Sequence, residues 1–277
     1  MSHKTGPLVI IGGAEDKQGE CRILREFMRL GGDKHAQVLV MTVASETPVE
    51  VGMEYVEVFR RLGAADVRTL DVSHRAAADT DSAVQFIQDA TCIFFTGGDQ
   101  LRITKLLGGT RVDAALHNAL ARGVPLGGTS AGASMMSSTM IVDGEAETNP
   151  RIAVVDMAPG MEFLDGVVID QHFAQRGRLG RLVSAVAQYP HHLGLGIDED
   201  TAVIVENGAF RVLGRGAVSV VDAGGVKYSN LDVVESDEAL CLCGIQLHIL
   251  SQGYGFHLRD RRPITDWAAY QSEAARS

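Results

Sequence analysis

The sequence predicts an α/β fold with a mostly parallel central sheet flanked by helices and with antiparallel additions in the C-terminal third. Three observations carry that expectation. Continuous apolar runs, the mark of strands buried on both faces, recur at residues 8–11, 38–43 and 91–96. Amphipathic stretches of helical period lie between them and close on glycine, as at Gly31-Gly32 and Gly63. From residue 201 to 221 the texture changes to short alternating runs with turns such as Asn207-Gly208, the pattern of antiparallel hairpins.

The elements follow in order. Leu8-Val9-Ile10-Ile11 opens the sheet and ends in Gly12-Gly13-Ala14-Glu15-Asp16, which completes neither phosphate-loop pattern. Residues 19–30 read as a helix, 38–43 as the second strand, 49–62 as a helix, 67–70 as a strand and 82–88 as a helix. The run 91–96 is a buried strand ending in Gly97-Gly98-Asp99-Gln100, and helices fill 101–107 and 112–122. Strands alternating with helices make βαβ units and so a parallel sheet covered on both faces. A short apolar run then enters Gly127-Gly128-Thr129-Ser130-Ala131-Gly132-Ala133-Ser134, and a buried helix can continue over 134–138. Residues 143–161 contain Asn149-Pro150 and Pro159-Gly160 and read as a long loop. Val167-Val168-Ile169 is a strand ending in Asp170-Gln171-His172-Phe173, and 179–187 is helical. Residues 193–197 form a strand ending in Asp198-Glu199-Asp200, 245–250 a late strand, and a polar tail starts at Ser251. No repeat or linker interrupts the pattern, so residues 1–277 read as one domain.

Composition narrows the function. The 277 residues include 25 basic and 35 acidic ones, a formal charge of −10. Such a chain repels nucleic acid and anionic membrane surfaces and can accept a cationic substrate. No apolar run is long enough to cross a bilayer, and Met1-Ser2-His3-Lys4-Thr5-Gly6-Pro7 lacks signal-peptide architecture, so a cytoplasmic location is expected. The four cysteines are scattered, and Cys241-x-Cys243 has no second pair, which argues against zinc or a disulfide framework.

Chemistry concentrates around Ser130. Gly128-x-Ser130-x-Gly132 fits the nucleophile elbow, a strained strand-to-helix turn that lifts a hydroxyl above the sheet edge. The ordinary reading is a small-residue loop that only packs closely. Ligands of open α/β sheets bind at the carboxyl ends of the strands. Those ends carry Gly97-Gly98-Asp99-Gln100, Ser130, Asp170-Gln171-His172 and Asp198-Glu199. Turn chemistry accounts for Gly97-Gly98 and Asp198, but less well for an Asp-Gln-His run after a buried strand. A serine nucleophile needs a base, and the base an orienting acid. His172 is the candidate base, expected in the same half-sheet as the elbow. Glu199 is the candidate acid, with Asp198 and Asp200 as competitors. The order Ser, acid, His would instead take Asp170 or Glu199 with His248 or His257. Arg176, Arg178 and Arg181 follow His172 directly. A solvated helix start is the ordinary reading of that run, but cations are disfavoured at a helix N-terminus. Three arginines beside a nucleophile suggest a two-pronged grip on substrate carboxylates.

Taken together, these segments resemble the cyanophycinases, serine-type exopeptidases related to peptidase E whose fold is similar to class I glutamine amidotransferases. The resemblance runs from Gly12-Gly13-Ala14-Glu15-Asp16 through Gly97-Gly98-Asp99-Gln100, the Ser130 elbow, Asp170-Gln171-His172-Phe173 with its Arg-x-Arg-x-x-Arg, to Gly196-Ile197-Asp198-Glu199-Asp200. It implies Ser130 as nucleophile, His172 as base and Glu199 as acid. Gln100, Asp170, Gln171, Arg176, Arg178 and Arg181 would line the pocket. The implied substrate is cyanophycin, a poly-aspartate backbone carrying arginine on its β-carboxyls, and the products are β-Asp-Arg dipeptides. The family is typically homodimeric and uses no cofactor or metal. The amides of Gly98 and Ala131 are expected to form the oxyanion hole. The rivals are a peptidase E-like aspartyl dipeptidase and a non-catalytic binding module on the same fold. A glutamine amidotransferase would need cysteine where Ser130 stands.

Overall fold

The computed structural model describes residues 5–146 and 148–274; the expectation drawn from Met1-Ser2-His3-Lys4 lies outside them. The first half of the chain runs β1 (Leu8–Ile11), α1 (Arg22–Leu30), β2 (Gln37–Met41), α2 (Pro48–Arg61), β3 (Asp66–Leu70), α3 (Asp81–Asp89) and β4 (Cys92–Phe95). It continues with α4 (Gln100–Leu107), α5 (Arg111–Ala121), β5 (Leu126–Thr129) and the single turn α6 (Ala131–Ser134). Next come β6 (Thr139–Gly144), β7 (Val155–Pro159), β8 (Val167–Gln171), α7 (Leu179–Gln188), β9 (Leu193–Ile197), β10 (Thr201–Glu206), β11 (Ala209–Gly214) and β12 (Val218–Asp222). The chain closes with β13 (Tyr228–Ser229), β14 (Leu242–Cys243), β15 (Gln246–Leu250), β16 (Gly255–His257), β17 (Arg262–Ile264) and α8 (Trp267–Ala274).

The nine-stranded sheet has the order β17-β16-β11-β10-β1-β5-β4-β2-β3. Strands β1, β5, β4, β2 and β3 are parallel, and β10 pairs antiparallel with β1 to begin the late meander. β1 is buried at every position because both of its faces are covered. Val9 and Ile11 pack with α1 and α2, whereas Leu8 and Ile10 face the larger core. That core also holds α3, α4 and α5 and the inner face of a second sheet, β15-β12-β9-β8. The outer face of the second sheet is covered by α7 through Leu182, Ala185 and Val186. The helices that separate the early strands stop where glycine or a carbonyl-satisfying turn follows, as at Gly31, whose amide closes onto the Phe27 carbonyl. Among the described residues, no helix is long and apolar enough to cross a membrane.

Three local expectations differ from the structure. Residues 143–161 are not one loop, because β6 and β7 pair as an antiparallel hairpin with an irregular register between Ile141 and Asp143. Isolated turn signals such as Pro159-Gly160 mark the ends of these strands, not the absence of strands. The helix after Ser130 is one turn long: the Met135 and Met136 carbonyls are taken by the amides of Met161 and Leu164, which ends the helical ladder. Finally, β8 and β9 do not extend the sheet of the elbow. They form a parallel βαβ unit with α7 in the second sheet, so His172 reaches Ser130 across the space between two sheets.

Candidate active site

Ser130 follows the last residue of β5 and has φ 53° and ψ −112°, a conformation that L residues seldom adopt. The surroundings hold it there. Its amide donates to the Ile11 carbonyl at 3.1 Å, and its own carbonyl accepts from Ala133 and Ser134 at 3.0 Å. Gly128 permits the close return of the chain: a β-carbon there would lie 2.1 Å from the Gly132 carbonyl oxygen. With four residues, α6 adds little dipole field. Free amides remain. Among the described residues, those of Ala131 and Gly98 donate to no acceptor, and the Gly97 turn lies close enough that a β-carbon would sit 3.4 Å from Ser130 Cβ.

His172 stands at the end of β8 with φ 49°, its amide donating to the Gly12 carbonyl at 2.7 Å. Its Nε2 is 3.1 Å from Ser130 Oγ, and its Nδ1 is 2.6 Å from Glu199 Oε1. The imidazole lies against Gly13, where a β-carbon would stand 2.3 Å from Cε1. Gly13 also has φ +100°, so side-chain room and backbone conformation both demand glycine. Burial lowers the His172 pKa below its ordinary value; the Glu199 hydrogen bond opposes this and the positive charge of Arg176 adds to it. The ring is therefore the neutral, proton-accepting form at neutral pH.

The three neighbouring acids divide by role. Asp198 accepts from the amides of Ala174 and Ala217, each at 3.0 Å, and so clamps two turns. Asp200 accepts from the Asp16 amide at 2.9 Å. Glu199 is the one that reaches the imidazole. His248 lies on β15, at the far edge of the second sheet from β8, with its ring against Phe256, and His257 accepts from the Asp260 amide.

The arginines are arranged differently from the expectation. Arg178 and Arg181 are 8% and 6% exposed, and both point inward. Arg181 makes a two-pronged contact with Asp170, through Nε at 2.7 Å and Nη2 at 2.5 Å. Arg178 Nη1 donates to the Gln171 carbonyl and, at 3.1 Å, to Gln171 Oε1; burial pulls its pKa down to about 10. The two-pronged grip is thus made on Asp170, itself 1% exposed, and not on a solvent-facing carboxylate. Neither a solvated helix start nor an open carboxylate clamp describes the run. Gln100 is likewise occupied, its amide donating to the carbonyls of Ile141 and Val142 at 3.0 and 2.8 Å. Arg176 is exposed and makes no side-chain hydrogen bond among the described residues. Gln171 Oε1 lies 3.5 Å from Ser130 Oγ.

Two contributions escape a linear reading. Gly13 seats the imidazole, and the Gly12 carbonyl anchors the turn that carries it. The only trace in the sequence is an otherwise incomplete glycine loop at the end of a buried strand. Among the described residues, no group of three His, Cys, Asp or Glu is placed to hold a metal ion.

Comparison with known proteins identifies the family. Residues 8–213 match peptidase family S51. The chain is 38% identical over 259 residues to a cyanophycinase of Geminocystis herdmanii, covering 93% of this chain and 95% of that one. It is 41% identical over 259 residues to a cyanophycinase of Synechococcus elongatus, covering 93% and 80%. A solved peptidase structure from an acI-B1 Actinobacterium superposes with a TM-score of 0.67 at 22% identity, covering 93% of this chain and 98% of that one, and shows a common fold. The chain is a peptidase: it belongs to peptidase family S51, among the cyanophycinases.

Proposed function

We propose that this chain hydrolyses cyanophycin to β-Asp-Arg dipeptides as a serine exopeptidase. The observation that carries the reading is the continuous contact Ser130 Oγ–His172 Nε2–Glu199, at 3.1 and 2.6 Å, in a chain about two-fifths identical to cyanophycinases. In this reading His172 Nε2 takes the Ser130 proton as Oγ attacks the backbone carbonyl between aspartates. The Gly98 and Ala131 amides face the developing oxyanion. Glu199 holds the Nδ1 proton and stabilises the imidazolium. The C–N bond breaks as His172 returns the proton to the leaving amine, and water then repeats the sequence on the acyl-enzyme. No metal or cofactor takes part.

Substrate recognition is proposed to fall on Arg176 and on the Gln171 amide beside the nucleophile. Asp170, Arg178 and Arg181 would act through Gln171, and Gln100 through the β6 backbone. Residues 1–277 are read as one domain, since the triad draws on both sheets, and the protein as a cytoplasmic homodimer, as the family resemblance implies. Incubating the protein with cyanophycin and weighing the products tests the reading. β-Asp-Arg that disappears with Ser130→Ala supports it. Cleavage of short aspartyl dipeptides alone would replace it with a peptidase E-like activity, and cleavage of neither would leave a binding module.

A further inference from the structure

Glu15 is a buried carboxylate that the proposed reaction does not use. It is 5% exposed and belongs to the Gly12-Gly13-Ala14-Glu15-Asp16 loop, which matches no phosphate-binding pattern. No cation neutralises it among the described residues. Two neutral hydroxyls do its solvation: Thr129 Oγ1 donates to Oε2 at 2.5 Å and Tyr55 Oη donates to Oε1. Thr129 is the last residue of β5, and the next residue is the strained Ser130. Tyr55 comes from α2 and is wedged among aromatic rings, 4.9 Å from Phe94 and 6.2 Å from Phe59 between centroids. Burial and the Glu15 charge push its phenol well above the usual range, so it stays a donor.

The same loop touches the rest of the site. The Gly12 carbonyl takes the His172 amide, Gly13 lies under the imidazole, and the Gly13 carbonyl takes the Asp200 amide next to Glu199. A buried carboxylate without a cation costs several kcal/mol unless its hydrogen bonds are well made. Packing alone would be served more cheaply by an apolar residue. The carboxylate gains two strong charge-assisted bonds whose donors sit on different elements. Those bonds join the Gly12–Asp16 loop to the end of β5 and to α2.

We propose that Glu15 is a positioning residue: through Thr129 and Tyr55 it locks the Gly12–Asp16 loop, and with it His172, to the strained elbow of Ser130. Its effect is on the reactivity of Ser130 and not on substrate binding. The proposal rests on Ser130 being the nucleophile, and the test separates the two.

The measurement is the rate of labelling by a fluorophosphonate, in which Ser130 Oγ displaces fluoride from phosphorus while His172 takes the hydroxyl proton. Wild type must label at Ser130; if it does not, the serine reading fails before Glu15 is considered. Given that labelling, Thr129→Val is expected to lower the maximal labelling rate by about tenfold or more, with the concentration for half-maximal rate unchanged. Thr129→Ser, which keeps the hydroxyl, is expected to stay within about twofold of wild type. Thr129→Val labelling at the wild-type rate overturns the proposal, as does a Thr129→Ser protein as slow as Thr129→Val. If Thr129→Val does not fold, Tyr55→Phe decides: slowed labelling in a protein with native circular dichroism supports the lock, and wild-type labelling overturns it.

Discussion

β5 and β8 both deliver a side chain of the proposed triad from a non-glycine residue at positive φ, Ser130 at 53° and His172 at 49°, yet they are held by different means. β5 lies inside the nine-stranded sheet between β1 and β4, and its turn is shaped mainly by neighbours in sequence, with Gly128 and Gly132 in close approach and Ala133 and Ser134 on the Ser130 carbonyl, while the Ile11 carbonyl takes the Ser130 amide. β8 is the edge strand of a separate sheet. Its terminal turn is secured by distant groups: the Gly12 carbonyl and Gly13 in front, and the buried Asp170–Arg181 pair behind. The shape of the elbow is mostly local chemistry, whereas the placement of His172 is a product of two sheets meeting.

The difference can be broken from either side, and the largest effect belongs to the local side. Ser130→Ala is expected to abolish hydrolysis, a loss on the order of a thousandfold or more in kcat, with an unchanged melting transition. Near wild-type turnover would remove Ser130 from the reaction. On the β8 side, Asp170→Asn leaves two buried guanidinium groups uncompensated. It should cost about 3–5 kcal/mol of unfolding free energy in a urea titration. A loss below about 1 kcal/mol, the scale of an exposed pair, would return Arg178 and Arg181 to the pocket.

Gly13→Ala strikes the contact between the sheets. The added methyl would stand 2.3 Å from the imidazole at a φ of +100°, so the ring must move. The expected result is about a hundredfold fall in kcat with KM little changed, since a shift near 1 Å at the base has that effect. A rise in KM alone would show that the loop serves binding instead. Substitution of the arginines sharpens the comparison further. Arg178→Lys and Arg181→Lys should slow hydrolysis of the polymer and of a neutral ester alike, because their partners are internal. Arg176→Lys, on the exposed residue, should weaken the polymer reaction only.

The smallest expected effect is on pH dependence. Protonated His172 cannot accept the Ser130 proton, so kcat/KM falls as pH drops through its pKa. Burial sets that pKa below the ordinary 6.5, so the acid limb lies below pH 6.5. Because the folded form disfavours the imidazolium, stability from this group is likewise present at neutral pH and is lost on acidification. Arg176→Gln removes a positive neighbour and should move the acid limb upward, measured as a pH profile of kcat/KM. An unmoved limb would mean that Arg176 does not act on the imidazole.

Much of this was readable along the chain because short-range rules govern it. Buried parallel strands announce themselves as unbroken apolar runs, as in Leu8–Ile11, and helix ends as glycine. The elbow is a pattern of small residues around one serine, so Ser130 is visible without any fold. Glu199 could be placed only within a set of three acids, since a run of carboxylates at a strand end says nothing about which one faces an imidazole. Their separation into one histidine partner and two backbone clamps needs the turns of Ala174, Ala217 and Asp16 to be in place. The arginines show the same limit more strongly. Charge and spacing describe Arg178 and Arg181 as a basic face, but whether a guanidinium meets water, substrate or Asp170 depends on how β8 and α7 pack. The apolar pattern of the chain specifies which strands are buried. Which sheet each strand joins is set by pairing between segments, and β1, which leads into Gly13 beneath His172, pairs with β5 and β10, each more than a hundred residues along the chain, where no local propensity reaches.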